Sequence, residues 1–206
     1  MIFGGQKLKI PLAYQKTEYD CGPTCLLNAL SVLFERESLP PDLIKSIMLY
    51  SLDAYNDRGE AGKSGTSRMA MEFISGWINH FGEKNKFPIC SEYLCGEEVF
   101  FGEGSRLEDA LQRGGVIVAR VMFDCWHYVL ITGCKKNSVY LFDPYYRRKP
   151  FKFPGIEMIW DRPMRHNRRI YKELLNAEGD TPYALSEKAI REAVVLYNTD
   201  TMKVSE

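Results

Sequence analysis

YQKTEYDCGPTCLLNAL, from Tyr14 to Leu30, reads as a loop running into a helix. From Leu26 onward, Leu26, Leu27, Leu30, Leu33 and Phe34 fall at i, i+1, i+4, i+7 and i+8, one face of an α-helix. Gly22 and Pro23 stand where the first turn begins, and proline is tolerated there because its missing N–H would have no partner anyway. Cys21 therefore opens the helix, where the positive end of the macrodipole favours thiolate over thiol. The free N–H groups of that turn suit an oxyanion beside the sulfur. Gln15, six residues upstream, adds a side-chain donor on the approach. This is the geometry of a thiol nucleophile.

Such a nucleophile needs an imidazole to share its proton and to return one to a leaving amine. Of three histidines, His127 alone stands at the start of a strand-like run, CWHYVLITG (Cys125 to Gly133). His80 lies on a helical stretch and His166 in an arginine-rich one. The next run, SVYLFDPYYRR (Ser138 to Arg148), ends its apolar part at Asp143, before Pro144. The connector Lys135-Lys136-Asn137 is short and polar, so the two runs form an antiparallel hairpin. The start of one strand then lies beside the end of the other, which makes His127 and Asp143 neighbours. A carboxylate there orients the imidazole and stabilises the imidazolium. Asp124 is a second candidate for that role, and an aspartate before proline is also an ordinary turn residue.

Gln-x5-Cys at the opening of a helix is similar to the papain-like cysteine peptidases. The wider wording, Gln15 followed by Asp20-Cys21-Gly22-Pro23 and Cys25-Leu26, resembles their bacteriocin-processing (double-glycine) branch. The resemblance spans residues 8 to 155 in outline. It rests on the Gln15–Leu26 and His127–Pro144 blocks, with a weaker echo at Gly65-Thr66-Ser67. It implies a papain-like α+β fold, with a helical half carrying Cys21 and an antiparallel sheet half carrying His127. Cys21 would be the nucleophile, Gln15 the oxyanion donor, His127 the acid/base and Asp143 its orienter, with no cofactor. It further implies a peptide or protein substrate and an exporter or precursor peptide as partner. Acyltransferase relatives such as phytochelatin synthases use the same nucleophile with another acceptor, and degenerate members bind peptides without cleaving them. The presence of all four residues argues against the last case. Two departures stand out. Double-glycine peptidases are typically fused to a membrane exporter, and the minimal domain has no counterpart of residues 161 to 206.

At 206 residues and 45% hydrophobic the chain suits one well-buried core. A formal net charge of zero points globally to neither nucleic acid nor membrane. The opening MIFGGQKLKIP has no apolar run of signal-peptide length. The longest apolar stretch, Val116 to Phe123, is broken by Arg120 and falls far short of the ~20 residues that span a bilayer. The expectation is a cytoplasmic protein with reduced cysteines. Cys90-x4-Cys95, Cys125 and Cys134 lack the tight Cys-x2-Cys knuckles of structural zinc, so no metal is expected. Cys25, one turn below Cys21, should pack in the core. Gly62-Lys63-Ser64 lacks the glycine five residues earlier that a phosphate loop needs, that position being Asp57.

In chain order the patterning predicts a short strand at Lys7–Leu12, helices at 21–35 and 41–50, and a polar loop over 53–65. A helix capped by Thr66 or Ser67 follows, with Ala70, Phe73, Ile74, Trp77, Ile78 and Phe81 as its apolar stripe. Residues 83–104 resist assignment. Leu107–Leu111 reads as helix, and 116–122, 127–132, 138–142 and 150–153 as strands. Helices first and strands after argue α+β with an antiparallel sheet. Residues 1–160 form the predicted domain. Residues 161–206 read as a helical extension packed on it, from Arg165–Leu175 and Ser186–Tyr197. Between Arg147 and Lys172 nine Lys or Arg face only Glu157 and Asp161, a local +7. That surface is a solvated face, an internal pairing surface, or a steering field for an acidic leader or an RNA.

Overall fold

The computed structural model describes residues 11–204. The strand predicted at Lys7–Leu12 lies mostly outside them, and Pro11 and Leu12 carry no regular structure. α1 (Cys21–Leu33) opens at Cys21 and stops where Phe34 turns extended. α2 (Pro41–Ser51) starts on a proline in its first turn. α3 (Arg68–Asn85) is capped by the Ser67 hydroxyl, which accepts from the Ala70 N–H at 3.1 Å. On its stripe Ala70, Ile74, Ile78 and Phe81 are buried, whereas Phe73 stays 53% exposed, edge-on to Tyr50.

The strands are β1 (Ile89–Cys95), β2 (Val116–Phe123), β3 (Cys125–Lys135), β4 (Ser138–Phe142), β5 (Ile156–Met158), β6 (Arg168–Tyr171) and β7 (Glu192–Asn198). A short α4 (Arg106–Gln112) precedes β2, and a single turn, α5 (Lys172–Leu175), follows β6. All seven strands join one sheet in the order β1-β7-β2-β3-β4-β6-β5, with every neighbouring pair antiparallel. The fold is α+β. Cys125, Trp126, His127 and Tyr128 pair with Phe123, Met122, Val121 and Arg120, so His127 lies near the tight end of the β2–β3 hairpin.

Both faces of this sheet are covered. Val116, Val118, Leu130, Phe142, Val194 and Leu196 pack on Leu26 and Leu30 of α1 and Ile74 and Ile78 of α3. On the other face Ile117, Val129, Leu141 and Val195 meet Leu107 of α4 together with Leu175, Tyr183 and Leu185. Burial on both faces makes near-continuous apolar runs out of strands that would otherwise alternate.

Three expectations change. Residues 161–206 are not a helical extension: β6 and β7 belong to the sheet, and β7 lies between β1 and β2. Ile190, Ala193, Val194 and Tyr197 match a helical stripe, but Ala193 to Tyr197 is buried residue by residue, as a doubly covered strand must be. In Arg165–Leu175, Arg168 and Ile170 are buried on alternate positions of β6, and only one helical turn follows. The strand expected at 150–153 is loop. Pro150 and Pro154 offer no N–H to a ladder, and pairing begins only past Gly155, in its left-handed turn. The unassigned 83–104 stretch holds β1, the edge strand beside β7.

Because β7 is hydrogen-bonded on both sides, truncation after Trp160 should abolish cooperative folding. Thermal unfolding followed by circular dichroism should show a sigmoidal transition for the full chain and none for residues 1–160. A cooperative melt of the truncated chain would contradict this.

Candidate active site

The loop into α1 is set by Asp20. Its carboxylate accepts from the Lys16 N–H at 3.0 Å, the Thr17 N–H at 2.8 Å and the Thr17 hydroxyl at 2.8 Å. Partial burial would raise its pKa, but these bonds outweigh that and hold it below the ordinary carboxylate value. Its carbonyl accepts the Thr24 N–H at 3.0 Å. Cys21 follows as the first residue of α1, where an N–H has no helical partner. Gly22 is needed for close approach: a Cβ there would stand 2.3 Å from the Thr66 hydroxyl oxygen. The first turn of α1 thus lies directly against the lead-in to α3.

Gln15 is stitched to the other wall. Its backbone N–H donates to the Pro144 carbonyl at 3.0 Å, which places it beside the residue after Asp143. Its Nε2 donates to the Thr17 carbonyl at 2.8 Å, and its buried Oε1 has no hydrogen-bond partner among the described residues.

His127 and Asp143, predicted neighbours, are joined: His127 Nε2 lies 2.8 Å from Asp143 Oδ1, with both side chains buried. Cys21, at the start of α1, also acts electrostatically on the imidazole. Burial alone would depress the His127 pKa, but Asp143 and Cys21 together push it up to about 10. Burial likewise opposes ionisation of Asp143, yet His127, Arg168 and Tyr183 hold it below the ordinary carboxylate value. The site therefore holds an imidazolium against the Asp143 carboxylate. Cys25 takes another path: burial first, then Cys21 and Asp143, push its thiol up, and its Sγ donates to the Tyr128 carbonyl at 3.3 Å. Asp124, the other acid considered, sits exposed at the hairpin turn with φ +60°, and Asp143 is the carboxylate on His127.

Three residues that hold Asp143 went unread in the sequence, all from the supposed extension. Asn167 brackets its backbone, Oδ1 accepting the Asp143 N–H at 2.8 Å and Nδ2 donating to the Asp143 carbonyl at 2.9 Å. The Tyr183 hydroxyl donates to Asp143 Oδ2 and accepts from Arg168 Nε at 3.2 Å. Arg168 Nη2 stands 4.0 Å from the same carboxylate oxygen. Tyr183 reaches in from a left-handed backbone, φ +67°, anchored by its N–H on the Met122 carbonyl at 2.7 Å. A β-carbon in that conformation costs on the order of 1 kcal/mol, which the surroundings must offset. The Tyr145 N–H adds a bond to Asp143 Oδ1 at 2.8 Å. No spacing rule marks Asn167, Arg168 and Tyr183, because they meet Asp143 only through the tertiary fold.

A second buried polar cluster centres on Glu192. It accepts from the Tyr128 hydroxyl at 2.7 Å and the Tyr93 hydroxyl at 2.8 Å, and it pairs with Arg120 Nε at 2.9 Å and Arg68 Nε at 3.7 Å. The Arg120 guanidinium also lies over the half-exposed Trp126 ring, 4.3 Å from its centroid. Its one sequence signal was Arg120 interrupting an apolar run. Among the described residues no three His, Cys, Asp or Glu side chains converge to hold a metal ion.

Two predictions follow from the charge state. The His127 pKa is raised above its ordinary 6.5, so its contribution to stability is complete below pH 6.5 and is lost as pH climbs toward about 10. Urea midpoints should fall across that window more steeply in wild type than in His127→Gln, and parallel profiles would refute it. Tyr183→Phe removes one donor from a buried carboxylate and should cost about 1–3 kcal/mol near neutral pH. That cost should shrink only as acidification below the ordinary carboxylate pKa of 3.8 protonates Asp143; a cost that stays constant down to acid unfolding would mean packing alone. Neither a scan against protein-family models nor a search of curated proteins returned a match.

Proposed function

We propose that this protein is a papain-like cysteine peptidase acting on a peptide or protein substrate through a thioester acyl-enzyme. One observation carries the reading: the buried His127–Asp143 pair, with Cys21 at the start of α1 near enough to act on the imidazole. Cys21 Sγ adds to the scissile carbonyl carbon, forming the C–S bond and placing negative charge on oxygen. The first-turn N–H of α1 and the second N–H of the Gln15 amide are the donors for that oxyanion. His127 passes its proton to the leaving nitrogen as the C–N bond breaks, releasing an amine and leaving a thioester. Water then loses a proton to His127 and attacks, and Cys21 departs as thiolate. Asp143 keeps the ring oriented throughout and takes no proton itself.

A processing role, removal of a leader from a precursor peptide, fits this chemistry. The six cysteines are unpaired, which suits a reducing compartment such as the cytoplasm. Among the described residues no helix is long and apolar enough to cross a membrane.

Iodoacetamide at pH 6, read cysteine by cysteine by mass spectrometry, should modify Cys21 ahead of the exposed Cys95 and Cys125. His127→Ala should remove that preference. Incubation with a peptide mixture in H2(18)O should yield new carboxyl termini carrying the label, and Cys21→Ala should reduce the yield at least ~1000-fold. Cys21 reacting no faster than the exposed thiols would end the catalytic reading. Amide products formed only with an added amine would point to transfer instead.

A further inference from the structure

The fold divides the nine basic residues between Arg147 and Lys172 into two sets. Arg162, Arg168, Arg169 and Lys172 each lie within 4.0 Å of a carboxylate, on Asp161, Asp143, Glu157 and Glu108 respectively. Arg147, Arg148, Lys149, Lys152 and Arg165 have no carboxylate partner among the described residues. This leaves five cations on two loops of a chain whose net charge is zero.

Both loops are pinned to the approach to Cys21. The first leaves Asp143 through Pro144, whose carbonyl takes the Gln15 N–H at 3.0 Å. The second passes Pro163, whose carbonyl takes the Leu12 N–H at 2.9 Å. Exposed aromatic rings accompany the cations: Tyr145, Tyr146 and Trp160 are 45%, 52% and 58% exposed. Tyr146 packs edge-on against Tyr14 at 5.0 Å, and the Arg148 guanidinium lies 5.9 Å from the Tyr146 ring centre. The local field also reaches a neighbouring group. Burial first, then Arg162 and Arg165, lower the His166 pKa.

We propose that this cationic, aromatic rim binds an acidic segment of the peptide substrate, next to the bond presented to Cys21. Carboxylates of that segment pair with Arg147, Arg148, Lys149, Lys152 and Arg165, and its apolar side chains lie on Tyr145 and Tyr146. The proposal rests on the peptidase reading. A peptide is favoured over a nucleic acid because both loops of the rim are hydrogen-bonded to the segment that leads into Cys21, whose proposed chemistry needs an acyl carbon. Guanidinium forks held over aromatic rings also match carboxylates in a bidentate manner.

Peptide electrophiles test it, each with an internal vinylogous ester and a four-residue Glu, Gln or Lys tract before or after it. Cys21 labelling is followed by intact mass at about 20 and 300 mM NaCl, with iodoacetamide in parallel. In one of the two placements the Glu tract should label Cys21 about tenfold faster than the Gln tract at low salt, with the advantage shrinking at high salt. The triple variant Arg147→Glu, Arg148→Glu, Lys149→Glu should erase that advantage and leave the iodoacetamide rate unchanged. No Glu preference alongside selective iodoacetamide labelling overturns the proposal and spares the peptidase reading. So does a preference that survives charge reversal. Tighter binding of a fluorescent 12-mer of oligouridylate than of the Glu-tract peptide to Cys21→Ala, lost on reversal, overturns it in favour of RNA. Loss of iodoacetamide selectivity for Cys21 brings down both readings together.

Discussion

Asp143 carries a carboxylate 1% exposed, and much of the architecture compensates for taking it out of water. An ionised group buried without partners costs several kcal/mol, so such a residue persists only inside a complete set of donors. Here three donors reach it, His127 on β3, the Tyr145 N–H after β4 and the Tyr183 hydroxyl from the loop before β7, and the Arg168 guanidinium on β6 adds its charge from 4.0 Å. Asn167 holds the backbone of the same residue from both sides. The segment beyond residue 160 is therefore bound into the site as well as into the sheet.

The sheet makes this convergence possible. With β7 inserted between β1 and β2, the chain returns across the middle of the fold after leaving the site. The closing loop carries Tyr183 into a left-handed backbone under the β2–β3 hairpin, where its ring lies 5.3 Å from Phe123 and Phe123 lies 5.8 Å from His127. On the opposite wall, Gly22 lets the first turn of α1 press against Thr66 at the lead-in to α3. Shifting either wall by a side-chain width would separate Cys21 from the imidazole, because neither cover has slack.

Charges in this protein sort by depth. Buried Glu192 pairs with Arg120 and Asp143 with His127 and Arg168, while buried Arg191 donates to the carbonyls of Ser186, Val99 and Asn176. The spare cations are on the surface loops after Asp143, where hydration costs them nothing and a partner can reach them. On the proposed reading the two populations do different work. Buried Asp143 helps set the protonation state of the imidazole, and the surface set selects what is brought to it.

Much of the site was legible because its parts are local. The helix start at Cys21, the capped start of α3 at Ser67 and the β3–β4 hairpin each follow from a few adjacent residues, and the hairpin alone makes His127 and Asp143 neighbours. What the sequence could not supply was where residues 161–198 go. Ile190, Ala193, Val194 and Tyr197 suit a helix and a doubly buried strand equally well, and local spacing cannot say whether both faces will be covered. That depends on β1 and β2 offering free edges about a hundred residues earlier in the chain. Sequence by itself determined which thiol, imidazole and carboxylate could act together, since those choices rest on turn and hairpin chemistry. Only the tertiary structure decided that Asn167, Arg168 and Tyr183 hold the carboxylate and that five of nine cations remain unpaired, because strand order, set by burial across the whole sheet, brings distant residues into contact.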